Sequence, residues 1–125
     1  MMNKTDYENV TKDVCKYFSE RIDKAKSFGI NDIIIDPGFG FSKTTQQNYE
    51  LLNNLEFFKE FQIPIIIGVS RKSMIYKTLN TTPEKALNGS SVLHTISLMK
   101  GANILRTHDV KEAVECVKIV SQLNG

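Results

Sequence analysis

The chain has 125 residues and a formal net charge of +2, and 41% of its residues are hydrophobic and 24% charged. That composition is ordinary for a soluble globular protein, and the length allows one domain, residues 1–125, but not two. The charge is too small and too scattered to predict nucleic-acid binding, and no apolar run reaches membrane-spanning length. There is no signal peptide, so we expect a cytoplasmic chain in which Cys15 and Cys116 are free thiols.

The first half of the chain is predicted to form a helix, a strand, a loop and a second helix. Hydrophobic residues recur every three or four positions over Val10–Phe28, which is the pattern of an amphipathic helix, and Gly29 is expected to end it. A buried strand is predicted over Asp32–Asp36, because three consecutive isoleucines favour extended backbone. After a glycine-rich loop, Thr44–Thr45 is expected to cap a second helix whose apolar face runs to Phe58.

The second half repeats this alternation. Pro64–Val69 is predicted as a buried strand followed by a helix through Leu79, and Asn103–Thr107 is predicted as a third strand. A short helical segment after Thr82 and a helix restarting at Gly89 lie between these two strands. The helices before and after the third strand are assigned these buried residues: Val92, Ile96 and Met99 before it, and Val110, Ala113, Val114, Val117 and Val120 after it.

Strands that alternate with helices predict an α/β fold with a parallel sheet, which we expect helices to cover on both faces. Ligands of such folds bind at the carboxyl ends of the strands, and the unusual polar residues of this chain follow its three predicted strands. They are Asp36 after the first strand, Ser70–Ser73 after the second and Arg106–Asp109 after the third. One carboxylate is therefore predicted to face several cations and an imidazole.

These side chains suit a flat, polar ligand that has guanidine-like donors at one end and phosphate at the other. Asp36 can accept two parallel N–H bonds, and Arg106 can bind phosphate or stack on a flat ring. Lys72 and His108 can neutralise a leaving oxyanion. Ser73 starts a predicted helix, where backbone N–H groups favour anions.

Three segments together resemble a known family. Residues Asp36–Lys43 read Asp-Pro-Gly-Phe-Gly-Phe-Ser-Lys, Ser70–Ser73 read Ser-Arg-Lys-Ser, and Arg106–Val110 read Arg-Thr-His-Asp-Val. In this order they resemble three successive signatures of the dihydropteroate synthases, which are pterin-binding enzymes. The resemblance covers nearly the whole chain. Ser42 departs from the pattern, because the family usually has glycine there, and the difference matters only where positive φ is required.

The resemblance implies an enzyme of folate biosynthesis. Such enzymes join p-aminobenzoate to 6-hydroxymethyl-7,8-dihydropterin pyrophosphate, and the products are dihydropteroate and pyrophosphate. By resemblance Asp36 and Lys72 would bind the pterin, Arg106 would stack over it and contact pyrophosphate, and His108 would contact pyrophosphate. Lys72, Arg106 and His108 would be the catalytic residues.

The same resemblance implies a second pocket, for p-aminobenzoate. Phe41 would form its wall and Ser73 would lie near the carboxylate of this substrate. Gly68, in the second strand, is assigned to the substrate-binding residues as well. The chemistry implied is attack of an arylamine on a methylene carbon as pyrophosphate leaves, which needs positioning and charge stabilisation more than a strong base.

The family fold is a TIM-type (β/α)₈ barrel of roughly 250 residues. Three βα units and a leading helix resemble its C-terminal half, so we expect this chain to be a fragment. The resemblance implies a Mg²⁺ cofactor whose protein ligand belongs to the other half, and we predict no metal ligand in this chain. The full-length protein is expected to be a homodimer.

Other interpretations stay open. A pterin-binding methyltransferase shares the aspartate but has no pyrophosphate to bind, and a non-catalytic fragment or assembly module would have only residual ligand binding. Four residues are left with structural alternatives. Arg71 is expected to be an ion-pair partner, Phe39 a core residue and His94 structural or exposed, and Lys43 is left open between a solvated and a functional role.

Overall fold

The structure is a computed structural model that describes residues 9–40 and 42–124. Within them, helices and strands alternate as the sequence predicts. In chain order the elements are α1 (Val10–Ser27), α2 (Thr45–Asn53), a first 3-10 helix (Leu55–Phe61), β1 (Ile66–Ile67), α3 (Ser73–Tyr76), a second 3-10 helix (Pro83–Lys85), α4 (Leu87–Met99), β2 (Ile104–Leu105) and α5 (Val110–Asn124).

The end of α1 and the start of α2 lie at the residues that the sequence indicates. α2 is shorter than predicted, because it ends at Asn53 and Phe58 lies in the first 3-10 helix. Asn9 caps α1 by accepting a 3.0 Å hydrogen bond from the backbone N–H of Lys12, and Gly29 follows the helix with a φ of +81°. Thr44 caps α2, and Gln47 completes a reciprocal capping box with it. The predicted end of α1 before Gly29 and the predicted start of α2 at Thr44 are confirmed. The Thr44 cap satisfies backbone N–H groups of the first turn that have no partner within the helix.

The three predicted strands lie side by side and parallel, but they are shorter than predicted. β1 pairs with β2 in the register Ile66 to Ile104, whereas the predicted strand Asp32–Asp36 is reduced to one bridge between Ile35 and Ile65. The bridge consists of two hydrogen bonds, Ile35 N to Pro64 O and Ile66 N to Ile35 O, of 2.9 and 2.8 Å. The next donors on either side would be the backbone nitrogens of Pro64 and Pro37, which carry no hydrogen. Pairing therefore stops after one residue.

Helices cover one face of this sheet. Ile65, Ile67 and Val69 point to a core that side chains from α1 to α4 complete. Successive residues of a strand alternate between faces, so Ile34, Ile66 and Ile104 lie on the opposite face. Ile34 is 55% exposed and Ile104 is 37% exposed. The prediction of a sheet covered on both faces is therefore wrong for the described part of the chain, and so is the prediction that Ile34 is buried.

The buried faces of the last two helices are rotated from the predicted ones. α4 starts at Leu87 rather than Gly89 and buries Ser90, Leu93, His94 and Ser97, while Val92 and Met99 are exposed. Ser90 and Ser97 donate to carbonyl oxygens four residues earlier in the chain, so these small polar residues are satisfied without solvent. In α5 the buried residues are Ala113, Cys116 and Val120, and Val110, Val114 and Val117 are exposed.

Two further expectations concern the thiols and the membrane. Cys15 and Cys116 are free, as predicted, and burial raises the pKa of the Cys15 thiol. Among the helices of the described residues, none is long and apolar enough to cross a membrane.

Candidate functional site

The ends of the first and third predicted strands meet in an ion pair on the open face of the sheet. Nη1 of Arg106 donates to Oδ2 of Asp36 at 3.1 Å. The side chains are 52% and 36% exposed, so solvent screens the attraction and the pair remains accessible to a ligand. The predicted approach of the Asp36 carboxylate to the Arg106 guanidinium is therefore present.

The absence of a side chain at Gly68 leaves the space that the Arg106 guanidinium occupies. A Cβ at this position would lie 2.8 Å from Cζ and 3.0 Å from Nε of Arg106, and closer still to Nη2. Real Cβ atoms do not come this close to other heavy atoms, so a side chain at position 68 would force the Arg106 guanidinium to move. Gly68 does not have the positive φ found at Gly38 and Gly40. Space for Arg106, not backbone freedom, is what glycine supplies here.

The loop that follows Asp36 is held by polar contacts. Oδ1 of Asp36 accepts from the backbone N–H of Gly38 at 2.9 Å, and Nζ of Lys43 donates to the Gly38 carbonyl at 2.8 Å. The backbone N–H of Gly40 donates to Oδ1 of Asn48 at 2.9 Å, which ties the loop to α2. These bonds fix the direction of the Asp36 carboxylate.

Lys43 is buried, although a lysine at the end of a loop is usually solvated. It is 5% exposed, and burial lowers the pKa of its ammonium group. The nearby Asp36 carboxylate opposes that lowering, and the Lys72 ammonium adds to it. The open question about Lys43 is thus resolved in favour of a buried group that holds the loop. Phe39 is 1% exposed and belongs to the core, as expected.

Ser42 has a φ of +47°. This is left-handed backbone, which costs a residue with a Cβ roughly 1 to 2 kcal/mol relative to its preferred conformations. The departure from glycine at this position therefore has a physical consequence. Phe41, predicted to form the wall of the p-aminobenzoate pocket, lies outside the described residues.

Lys72 joins the second predicted strand to this loop. Its Nζ donates to the carbonyl oxygen of Phe39 at 2.5 Å. Burial lowers the pKa of the Lys72 ammonium, the Arg106 guanidinium lowers it further, and the Asp36 carboxylate raises it. Asp36, Lys72 and Arg106 therefore form one electrostatic group, as the sequence predicts.

Ser73 lies on the other side of Lys72, at the start of α3. It lines a cavity of about 390 Å³ together with Phe39, Gly40, Tyr76 and Pro83. α3 is a single turn, so the helix dipole that the sequence suggested for anion binding is small here. Any contact of Ser73 with an anion depends on its own hydroxyl and backbone N–H.

Arg71 connects its own segment to Asp109 and to the second 3-10 helix, and it is the predicted ion-pair partner. Its Nε and Nη2 donate to the two carboxylate oxygens of Asp109, each at 2.9 Å. Nη1 donates to the carbonyl oxygens of Pro83 and Glu84 at 2.8 and 2.9 Å. The hydrogen bond to Asp109 raises the pKa of Arg71, and the same bond lowers the pKa of Asp109. Lys72 and His108, which follow and precede these two residues, are thereby held at a fixed spacing.

His94 lies in α4 and is 2% exposed. Its Nε2 is buried without a hydrogen-bond partner, and burial lowers the pKa of the ring, opposed by the Asp109 carboxylate. A buried polar atom with no partner costs stability. Of the two expected alternatives for His94, structural or exposed, the structure excludes exposure.

Ser70 is the residue of this region that sequence reasoning missed. Its Oγ lies 3.0 Å from Nδ1 of His108 and accepts from the backbone N–H of His108 at 3.1 Å. Ser70 and His108 line a cavity of about 130 Å³ with Gly68, Lys72, Arg106 and Thr107. The sequence places Ser70 in the polar segment Ser70–Ser73 and His108 after the next predicted strand, but it gives Ser70 no role of its own and indicates no contact between the two.

The described residues, 9–40 and 42–124, contain no group of three His, Cys, Asp or Glu side chains that could hold a metal ion. Asp36, the carboxylate nearest the cations, already accepts from Gly38 and Arg106. This part of the chain therefore does not fit a magnesium site of its own, and we derive no chemical step through a metal.

Known proteins share this sequence and fold. The dihydropteroate synthase of Escherichia coli (strain K12) is 43% identical over 122 residues, which cover 96% of this chain and 43% of that protein. A crystal structure of the Yersinia pestis dihydropteroate synthase with a sulfonamide drug matches with a TM-score of 0.91 and 38% identity, over 94% of this chain and 44% of that one. The Xanthomonas albilineans dihydropteroate synthase in complex with 7,8-dihydropteroate matches with a TM-score of 0.94 and 34% identity, over 100% and 49%.

This chain spans less than half the length of each of these three proteins. Their fold is a TIM barrel, and the helices and small parallel sheet described above correspond to part of one, so the predicted fold class is confirmed. The family model described as "Pterin binding enzyme" matches residues 1–108, most of the chain. The chain belongs to the family of pterin-binding enzymes.

Proposed function

We propose that this chain forms a partial domain, residues 1–125, of a dihydropteroate synthase. The enzyme would condense p-aminobenzoate with 6-hydroxymethyl-7,8-dihydropterin pyrophosphate to give dihydropteroate and pyrophosphate. The observation that carries the proposal is the meeting of Asp36, Lys72 and Arg106 at the strand ends of a pterin-binding fold. The similar Xanthomonas albilineans protein holds 7,8-dihydropteroate in its structure.

Asp36 is the proposed anchor of the pterin. Its Oδ2 already accepts from a guanidinium, that of Arg106, and the amino edge of a pterin presents donors of the same geometry. The hydrogen bond from Gly38 to Oδ1 keeps the carboxylate oriented before the ligand arrives. When the pterin binds, Arg106 would give up Asp36 and become available to stack on the ring and to contact pyrophosphate.

Lys72, Arg106 and His108 are the proposed catalytic residues. All three line the cavity of about 130 Å³ at the ends of the two strands. Charge builds up on the pyrophosphate as it leaves, and donors held in place beforehand stabilise that charge without reorganising. Lys72 would also contact the polar ring atoms of the pterin, since its Nζ lies beside the loop that follows Asp36.

The second substrate would bind on the other side of Lys72. Ser73 lines the cavity of about 390 Å³ there, and we propose that it lies near the carboxylate of p-aminobenzoate, with Phe41 as the wall of the pocket. A cavity on each side of Lys72 would place the arylamine next to the methylene carbon of the pterin. Holding the two reactants together in this way lowers the entropic barrier without a strong base.

Several further features are proposals by resemblance. Magnesium would accompany the pyrophosphate and supply charge stabilisation, held by ligands other than the described residues. The whole protein would be a cytoplasmic homodimer. A non-catalytic fragment is the alternative that the open sheet face favours, and turnover of the two substrates by the isolated chain would exclude it.

Replacement of Asp36 tests the proposed function. In a polypeptide that binds pterin pyrophosphate, Asp36→Asn should weaken binding about 10- to 150-fold, because a charge-assisted hydrogen bond contributes roughly 1.5 to 3 kcal/mol. Isothermal titration calorimetry measures the change. Asp32→Asn removes the same charge from an exposed residue of the same segment and should leave affinity unaltered. Equal affinities of the wild type and the Asp36 variant would refute the anchor role.

A further inference from the structure

We propose that Ser70 is a positioning residue that fixes the tautomer of His108. In this proposal the Ser70 hydroxyl donates its hydrogen to Nδ1 of His108, so that the neutral imidazole carries its own hydrogen on Nε2. His108 would then offer a hydrogen-bond donor, rather than an acceptor, to an oxyanion. The inference rests on the proposed function only for the identity of that oxyanion, which is pyrophosphate.

The position of the Ser70 hydroxyl is strongly restricted. Ser70 is 6% exposed and follows β1 after Gly68 and Val69. Its Oγ has three neighbours within hydrogen-bonding reach: the backbone nitrogen of His108 at 3.1 Å, Nδ1 of His108 at 3.0 Å and Oγ1 of Thr107 at 3.4 Å. A hydroxyl has one hydrogen to donate and two lone pairs to accept with.

One assignment gives the buried hydroxyl of Ser70 a well-placed acceptor. The backbone N–H of His108 can only donate, so it occupies one lone pair of Oγ. Oγ1 of Thr107 accepts from the backbone N–H of Asp109 at 3.0 Å and keeps its own hydrogen, which it donates to Ser70. The hydrogen of Ser70 is then left for Nδ1 of His108, which accepts it.

The opposite assignment is weaker. If Nδ1 carried the hydrogen and donated to Ser70, the Ser70 hydroxyl could donate only to Thr107 at 3.4 Å. That separation exceeds the range of about 2.5 to 3.0 Å typical of an O–H···O bond, so the buried hydroxyl of Ser70 would lack a good acceptor. In the first assignment the same long contact concerns only the hydroxyl of Thr107, which is half-buried and can donate to solvent instead. The bond at 3.0 Å to Nδ1 is therefore the better use of the hydrogen of Ser70.

The consequence for the cavity follows from the geometry of the ring. Nδ1 faces Ser70, and His108 lines the same cavity as Lys72 and Arg106. With Nδ1 accepting, Nε2 is the nitrogen that carries the hydrogen. Lys72 and Arg106 line the cavity with His108, and the Asp109 carboxylate, which follows His108 in the chain, is paired with Arg71. The cavity then offers an anion the Lys72 ammonium, the Arg106 guanidinium and the N–H of Nε2 as donors.

Nitrogen NMR of the chain labelled with ¹⁵N in its histidine rings reads the tautomer without any ligand. The chain has two histidines, so His108→Asn assigns the His108 signals by their loss. In the pH range where the ¹⁵N shifts of His108 no longer change with rising pH, the wild type should show an unprotonated Nδ1 and a protonated Nε2. Ser70→Thr keeps the hydroxyl and should retain this pattern, whereas Ser70→Ala should shift both nitrogens toward the mixture of tautomers found in water.

Exposed Ser121 provides the matched control, because Ser121→Ala removes a hydroxyl from α5 without touching the cavity. A wild-type His108 with its hydrogen on Nδ1 would overturn the proposal. So would identical His108 spectra for the wild type and Ser70→Ala. Should Ser70→Ala fail to fold, the wild type and Ser70→Thr still decide, since each must show a protonated Nε2.

Titration with inorganic pyrophosphate separates this inference from the proposed function. Pyrophosphate should move the Nε2 signal of the wild type and of Ser70→Thr, and its affinity for Ser70→Ala should fall about 2- to 10-fold, the effect of one neutral hydrogen bond. Unchanged affinity of Ser70→Ala would refute the positioning role. A correct tautomer with no response to pyrophosphate would instead count against the proposed function.

Discussion

Replacement of Gly68 by alanine should separate the stability of the chain from its affinity for an anion. The added Cβ would lie 2.8 Å from Cζ and 3.0 Å from Nε of Arg106, and closer still to Nη2, so the guanidinium must leave its place. Since the far end of an arginine side chain is flexible, we expect Arg106 to move while the backbone stays where it is.

The expected change in stability is small. Displacing Arg106 breaks its ion pair with Asp36, which is half exposed and therefore worth about 0 to 1 kcal/mol. Exchange of glycine for alanine at an ordinary φ returns about 0.4 to 1 kcal/mol, because the unfolded chain loses conformational freedom. The two terms nearly cancel, and the free energy of unfolding should change by less than about 1 kcal/mol.

The expected change in affinity is larger. A hydrogen bond between a charged donor and an anion contributes roughly 1.5 to 3 kcal/mol, so a misplaced Arg106 should weaken pyrophosphate binding about 10- to 150-fold. Urea denaturation measures the first quantity and calorimetric titration with pyrophosphate the second. Gly89→Ala should lower the free energy of unfolding, because a Cβ there would press on Ile75 in the core. This comparison variant is therefore expected to change stability more than Gly68→Ala does.

A double-mutant cycle with Arg106→Ala provides the control. In that background the methyl group added at position 68 meets no guanidinium, so Gly68→Ala should cause no further loss of affinity. Additive losses in the double mutant would show that Gly68 acts independently of Arg106. That result would refute the reasoning, as would unchanged affinity in the single variant.

Four other substitutions test three separate features of the chain. Ser42→Gly should stabilise the chain by about 0.5 to 1 kcal/mol in urea denaturation, because the φ of +47° strains any residue with a Cβ, and a loss of stability would contradict the assigned backbone. His94→Leu should raise stability by about 1 kcal/mol by removing a buried nitrogen without a partner. Because burial lowers the pKa of His94 from 6.5, stability of the wild type should fall as the pH drops below 6.5 toward that lowered pKa, and thermal unfolding of the variant should lack this slope; equal slopes would refute the prediction. Replacement of Phe41 or Ser73 by alanine, in a polypeptide that turns over both substrates, should change the inhibition constant of a sulfonamide, and unaltered inhibition would count against the proposed pocket.

The parts of the fold that depend on local sequence were predictable. The N-cap at Thr44 and the glycine after α1 are local signals, and α2 starts and α1 ends where these signals indicate. The length of the first strand was not recognised, although Pro37 and Pro64 were visible. Only the register of the bridge shows that both prolines fall where the ladder needs a donor.

The buried face of α4 was assigned incorrectly for a different reason. Hydrophobic periodicity favours Val92 and Met99, yet the helix buries Ser90 and Ser97, whose hydroxyls donate to carbonyls of the preceding turn. Serine has no apolar signature, so its burial follows from packing against neighbours that only the folded chain supplies.

In the candidate site, the residues were easier to predict than the contacts between them. Because parallel strands end at one edge of a sheet, the sequence alone predicts that Asp36, Lys72 and Arg106 lie close together. The burial of Lys43 and the bonds of Ser70 to His108 depend on the path of two loops, which sequence spacing does not determine.

The contacts of Arg71 and Ser70 have a consequence for the way such a sequence can change over evolutionary time. Arg71 is bound to Asp109 and Ser70 to His108, so two neighbouring residues of one segment depend on two neighbouring residues 38 positions later. A mutation in either segment leaves a charged or polar partner unmatched in the other, and a second, compensating mutation would have to arise before the first is lost. The two segments are therefore expected to be inherited as one unit, and exchange of only one of them between divergent relatives should be poorly tolerated.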